Sequence, residues 1–177
     1  MSIPTVYYTK ARLVRDINIK LAGESLSWAQ LQLFVDSVID DINDILNACY
    51  PTTAEMDLFI QENNGGNWSE NPELQDYVNW NNGQLTLFPY SLVRRVIVIG
   101  AALKWLTTDE EGINTAADYT QEYRNALYIL QRDYANKIPE RYQAVDQGFV
   151  YTDAPNKGIT YYDPINNIRV SNQHLSK

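Results

Sequence analysis

Apolar residues recur along much of this chain at the spacing of amphipathic helices. Leu13, Ile17 and Leu21 fall four apart, between Thr9, a residue type that caps helix N-termini, and Gly23, a type that ends them. This predicts a helix from about Lys10 to Ala22. Leu31, Val35, Val38, Ile42, Ile45 and Cys49 continue the pattern at steps of three and four. Ser27 and Gln30 have capping-box spacing before them, and Pro51 stops the run. The second predicted helix therefore spans about Trp28 to Ala48. A third begins near Ser91, after Pro89, and ends before Gly112. Its middle, Val96 to Leu106, is apolar nearly all round, as in a helix surrounded by partners. Gly100 lies inside it, where glycine costs about 1 kcal/mol against alanine, so close backbone packing is expected there. The fourth runs from about Thr115 to Lys137, capped by Asn114 or Thr115. Tyr119, Tyr123, Ala126, Leu130 and Tyr134 line one face of it.

Residues 52–88 lack such a face. Asn81-Asn82-Gly83 separates two alternating stretches, Tyr77–Trp80 and Gln84–Phe88, which predicts a β-hairpin. Met56–Gln61 fits a strand, and also a short helix, since Thr52 and Glu55 form another capping-box pair. Helical periodicity is absent from residues 145–177. Ile159–Asp163 and Ile168–Ser171 are spaced to pair across 164–167. The fold class expected is mainly α: a bundle of about four helices over residues 1–144, with the insert 52–88, a small β-hairpin element and an extended C-terminal arm over 145–177.

The charge balance narrows the function. The chain has 177 residues and a formal net charge of −8, all of it from residues 1–88, since acidic and basic residues balance after that. No basic stripe is present, which argues against sequence-general nucleic-acid binding. One cysteine rules out an internal disulfide. Cys49 is read as a buried, inert thiol at the end of its helical stripe, and the single histidine, His174, leaves histidine catalysis poorly supported. No apolar run reaches the roughly 20 residues that span a bilayer, and the N-terminus lacks a secretory signal, so a cytoplasmic origin is the default. The tryptophans, Trp28, Trp68, Trp80 and Trp105, have no cluster of basic residues around them in sequence, Lys104 beside Trp105 being the one immediate neighbour, and read as core or interface residues.

The best enzymatic candidate is a carboxylate stripe on the second helix, Asp36, Asp40 and Asp44, with Asp41 beside it. Hard cations take oxygen ligands, and some all-helical nucleotide pyrophosphatases hold Mg²⁺ on helical carboxylates. A Mg-dependent nucleotide pyrophosphatase is thus the alternative function. Like charges four apart destabilise a helix, and Arg94 and Arg95 face the unfavourable end of a helix dipole. Pairing of Asp36, Asp40, Asp41 or Asp44 with Arg94 or Arg95, within one chain or between subunits, would relieve both. No phosphate loop, nucleophile elbow or Cys–His pair is present, so neither a catalytic residue nor a cofactor is assigned.

The order of elements resembles the head-to-tail connector (adaptor) proteins of tailed bacteriophages. The likeness rests on Leu21–Leu26, Val38–Asn47, Tyr50-Pro51, Phe88–Tyr90, Ile97–Ala102 and the tyrosine-rich fourth helix, followed by an extended tail. The resemblance implies a non-enzymatic virion protein of the neck, made in the host cytoplasm. It implies a ring, commonly of twelve copies, that docks on the portal protein, meets tail or neck proteins, and lets DNA pass without holding it. The aromatic arm, with Phe149, Tyr151, Tyr161, Tyr162 and Ile168, would dock on the portal or a neighbouring subunit.

Overall fold

Thr9 begins the first helix as its residue type predicts, its hydroxyl accepting from the backbone N–H of Arg12. A computed structural model describes residues 8–63, 75–108, 113–144, 160–163 and 168–171. Within residues 1–143, one compact unit, helix α1 is Lys10–Lys20 and α2 is Trp28–Leu46. Asn47, in the left-handed region at φ 51°, ends α2 two residues before the predicted stop.

Helix α5 is assembled from three runs that follow without a break: Tyr90–Leu92, a π turn over Val93–Ile97, and Val98–Leu106. Thr107 and Thr108 close it, their hydroxyls bonding back to the carbonyls of Lys104 and Trp105 at 2.7 Å each. Helix α6 is Ile113–Tyr134, one turn fewer at its end than predicted, since Ala135–Lys137 tightens into a 3₁₀ turn. It already begins at Ile113, upstream of the expected caps Asn114 and Thr115.

The core follows from these faces. α5 packs against α1, α2 and α6. Leu13 and Ile17 come in from α1, and Leu31, Val35, Val38, Ile39 and Ile42 from α2. Tyr123, Ala126 and Leu130 enter from α6, and Val96 to Leu103 of α5 lie buried among them. Each buried aliphatic side chain contributes roughly 1.5–3 kcal/mol. Gly100 sits where α5 meets α2 and α6. A Cβ there would lie 2.6 Å from the Tyr123 ring and 2.7 Å from Val38 Cγ2. The expected close packing is present.

The insert departs from expectation. Thr53–Glu62 is helix α3, which resolves the Met56–Gln61 alternative: Glu55 N–H donates to Thr52 Oγ1 at 3.2 Å, and Thr52 N–H to Glu55 at 2.8 Å. Tyr77–Trp80 is not a hairpin strand but part of helix α4, Gln75–Asn81. Helical spacing puts Asp76 and Trp80 on one buried side, a pattern that short alternation conceals. The other half of the expected hairpin does form a strand, β2, Gln84–Leu85. Its partner is β1, Tyr8–Thr9, in antiparallel register Tyr8↔Leu85 and Thr9↔Gln84. Gly83, at φ 80°, makes the turn from α4 into β2.

Residues 144–177 form a second unit. Its described part is an antiparallel pair, β3 Thr160–Asp163 and β4 Ile168–Ser171, in the register Tyr161↔Val170 and Tyr162↔Arg169. Among the described residues no helix is long and apolar enough to cross a membrane.

Candidate assembly surfaces

The acidic stripe of α2 is split in two by its surroundings. Asp36 turns inward, 9% exposed, and faces the start of α3. Its Oδ1 accepts from the Thr53 N–H at 2.8 Å and from the Thr53 hydroxyl, and Oδ2 accepts from the Ala54 N–H at 3.2 Å. The first amides of a helix have no acceptor inside it, and a carboxylate there also answers the helix dipole. Asp36 is thus an anchor for α3.

Asp41 is held on the other flank of α2. It accepts from Lys104 Nζ of α5 at 2.8 Å and from the Tyr123 hydroxyl of α6 at 2.8 Å. Lys104 also donates to Ser37 Oγ at 2.9 Å. Burial and the Asp41 bond raise the Tyr123 phenol above its ordinary value, so it stays protonated as donor. This ion pair is partly exposed and contributes about 1 kcal/mol or less.

Pairing of the stripe with Arg94 or Arg95 inside one chain is therefore corrected. Among the described residues no ion pair joins either arginine to Asp36, Asp40, Asp41 or Asp44. α2 lies on one side of α5, while both arginines leave α5 into a cleft of about 410 Å³ between α1 and α6. Arg94 donates to the Tyr90 hydroxyl at 3.0 Å. Asp16, which also lines that cleft, is held by Tyr8 and by Arg15 at 2.9 Å, and Lys20 pairs with Glu122 at 2.8 Å. Asp40 and Asp44 are exposed on the outside of α2.

Burial raises the Asp36 carboxyl above its ordinary 3.8; the Thr53 and Ala54 bonds oppose the rise and Asp40 adds to it. Between the unfolded value and the raised one, the folded chain binds the proton more tightly. Stability from this group therefore falls as pH rises through that window. Asp36→Asn removes the titration. Urea denaturation of both proteins from about pH 4 to about pH 6 should show the wild type losing ground to the variant as pH rises; a constant difference would refute the assignment.

Several contacts were not legible in the sequence. Asp76, 6% exposed, accepts from Thr86 Oγ1 at 2.8 Å, from Arg141 at 2.6 Å and from the Tyr142 hydroxyl. Lys10 sits over the Trp80 ring at 3.8 Å, although no basic residue neighbours that tryptophan in sequence. Trp80 is fully buried and donates to Asp57 at 2.6 Å, so its ring is core. Cys49 is exposed, contrary to the reading of a buried thiol. α2 stops before it, and Cys49 lies on an extended segment whose N–H donates to the Tyr142 carbonyl at 2.9 Å.

Of the arm residues, Tyr161 and Tyr162 fall on β3 and Ile168 on β4. Phe149 and Tyr151, like Trp68 and His174, lie outside the described residues. The sequence matches no family model, no curated protein and no solved structure.

Proposed function

We propose that this chain is a structural connector of a phage neck, assembling into a ring that joins portal to tail and extends the DNA channel. The observation that carries the reading is the C-terminal unit. It contains an antiparallel pair with four residues in each strand. A two-stranded hairpin is marginal by itself in water, and its outer edges are templates for further pairing. Such a unit gains stability when another surface completes it, by strand addition or aromatic docking. The likeness to connectors in helix order adds to this, as does the acidic balance of a chain carrying net charge −8, which would not retain DNA.

The alternative is a Mg-dependent nucleotide hydrolase on Asp36, Asp40 and Asp44. It needs these carboxylates turned toward one ion. Asp36 instead spends its oxygens on the amides of α3, although Asp40 lies only one turn away on the same stripe. The stripe is better explained as one anchor and one outer pair.

The test is the mass of the full chain at rising concentration, by light scattering after size exclusion, with electron microscopy of the product. The expected result is a closed ring of about twelve copies, each of 20.3 kDa. A chain that stays monomeric throughout would refute the reading, and nucleoside triphosphate hydrolysis abolished by Asp40→Asn would promote the alternative.

A further inference from the structure

Two surfaces of the helical unit are charged oppositely and lie on opposite sides of α5. The first is the outer stripe of α2, where Leu33, Ser37, Asp40 and Asp44 follow at steps of four, three and four. Leu33 is 73% exposed, and neither Asp40 nor Asp44 meets a cation among the described residues. The second is the cleft between α1 and α6, floored by Val98 and Ile99 of α5 and flanked by Ile19, which is 68% exposed. Arg94 and Arg95 stand in it. The acidic groups near these arginines are shared with other partners: Asp16 is bonded to Tyr8 and Arg15 and also attracts Arg94, Asp133 pairs with Arg132 at 2.7 Å and also attracts Arg95, and Glu122 pairs with Lys20.

We infer that the α2 stripe of one copy seats in the α1–α5–α6 cleft of the next, with Asp40 and Asp44 meeting Arg94 and Arg95 and Leu33 covering apolar surface beside them. This rests on the ring reading above and names its junction. The occupant is a second copy because the two faces complement each other in charge and each pairs an exposed aliphatic side chain with its ions. Face-to-face pairing of like surfaces is opposed: two acidic stripes repel, and so do two arginine pairs. The contact is therefore head to tail. Such a contact uses a different patch on each partner and propagates until it closes. It also explains two local liabilities. Like charges one turn apart on α2 and cations near the start of α5 are each unfavourable within the chain, and each is relieved by the neighbour.

Neutral variants test it. Asp40→Asn with Asp44→Asn blocks one face, and Arg94→Gln with Arg95→Gln blocks the other; all four side chains are exposed, so the fold should survive, as circular dichroism would show. Each double variant alone should remain a monomer where the wild type forms rings. Mixed in equal amounts they should stop at a 1:1 dimer, twice the monomer mass, because one intact junction remains. A chain carrying Asp40→Arg, Asp44→Arg, Arg94→Asp and Arg95→Asp should assemble again. If the wild type forms rings and either neutral variant does too, this junction is wrong and the ring reading stands. A mixture that stays monomeric, or a charge-swapped chain that does, would also overturn the junction. Should the wild type itself never assemble, both fail together.

Discussion

Gly100→Ala should destabilise the helical unit by about 2 kcal/mol, although alanine is the better helix former by about 1 kcal/mol. The sign is set by what surrounds α5. The new methyl would meet Tyr123 Cε2 at 2.6 Å and Val38 Cγ2 at 2.7 Å. Neither neighbour yields cheaply. Val38 is β-branched and held to one rotamer on a helix. Tyr123 is tethered through its hydroxyl to Asp41 at 2.8 Å, so swinging its ring away breaks that bond. The helices must part instead, and the apolar contacts of α2 and α6 with α5 loosen together. Thermal denaturation should show a midpoint lower by roughly 4–8 °C for a domain of this size. An unchanged or raised midpoint would mean that the helices separate without cost.

Asp76→Ala should cost more, about 3 kcal/mol. Asp76 binds three groups from distant parts of the chain: Thr86, beside β2, Arg141 and Tyr142. Burial raises the Tyr142 phenol well above its ordinary value, with the Asp76 bond adding to the rise, so its hydroxyl remains a donor. Without the carboxylate that buried donor has no acceptor. Arg141 is 40% exposed and can turn to water, which keeps the loss below that of a fully buried ion pair. Asp76→Asn should retain part of the stability, since its amide oxygen still serves Thr86. Urea midpoints would rank wild type above Asn and Asn above Ala. Equal midpoints for wild type and Ala would show that the carboxylate is dispensable.

These two residues mark what the sequence discloses. Gly100 announced itself, because a glycine inside a continuous apolar helix has few explanations other than close approach. Helices α1, α2 and α6 were legible for a related reason: their buried faces repeat locally, so the period survives without knowledge of the partner. Asp76 could not be read. Its three partners lie 10, 65 and 66 residues away, and nothing local marks it. The pairing of Tyr8–Thr9 with Gln84–Leu85 is hidden similarly. Turn chemistry at Asn82-Gly83 correctly predicted a reversal but not the element preceding it, because the alternation of Tyr77–Trp80 spans too few residues to separate period two from period 3.6. The π turn of α5, over Val93–Ile97, leaves no trace in its residue types. On the assembly surfaces, the sequence exposed the charge conflict on α2 and α5. It did not show that Asp36 and Asp41 resolve their part inside the chain, which leaves Asp40 and Asp44 for the outer face.

The Asp36 anchor also sets how α3 can move. The opening amides of a helix ordinarily exchange their hydrogens quickly, since no carbonyl within the helix covers them. Those of Thr53 and Ala54 are covered by a side chain that belongs to α2. A helix of 10 residues is too short to persist alone, so releasing that carboxylate and melting α3 become one event. Solvent reaches these two amides only when α3 leaves α2, and their exchange rates keep time for the detachment of α3.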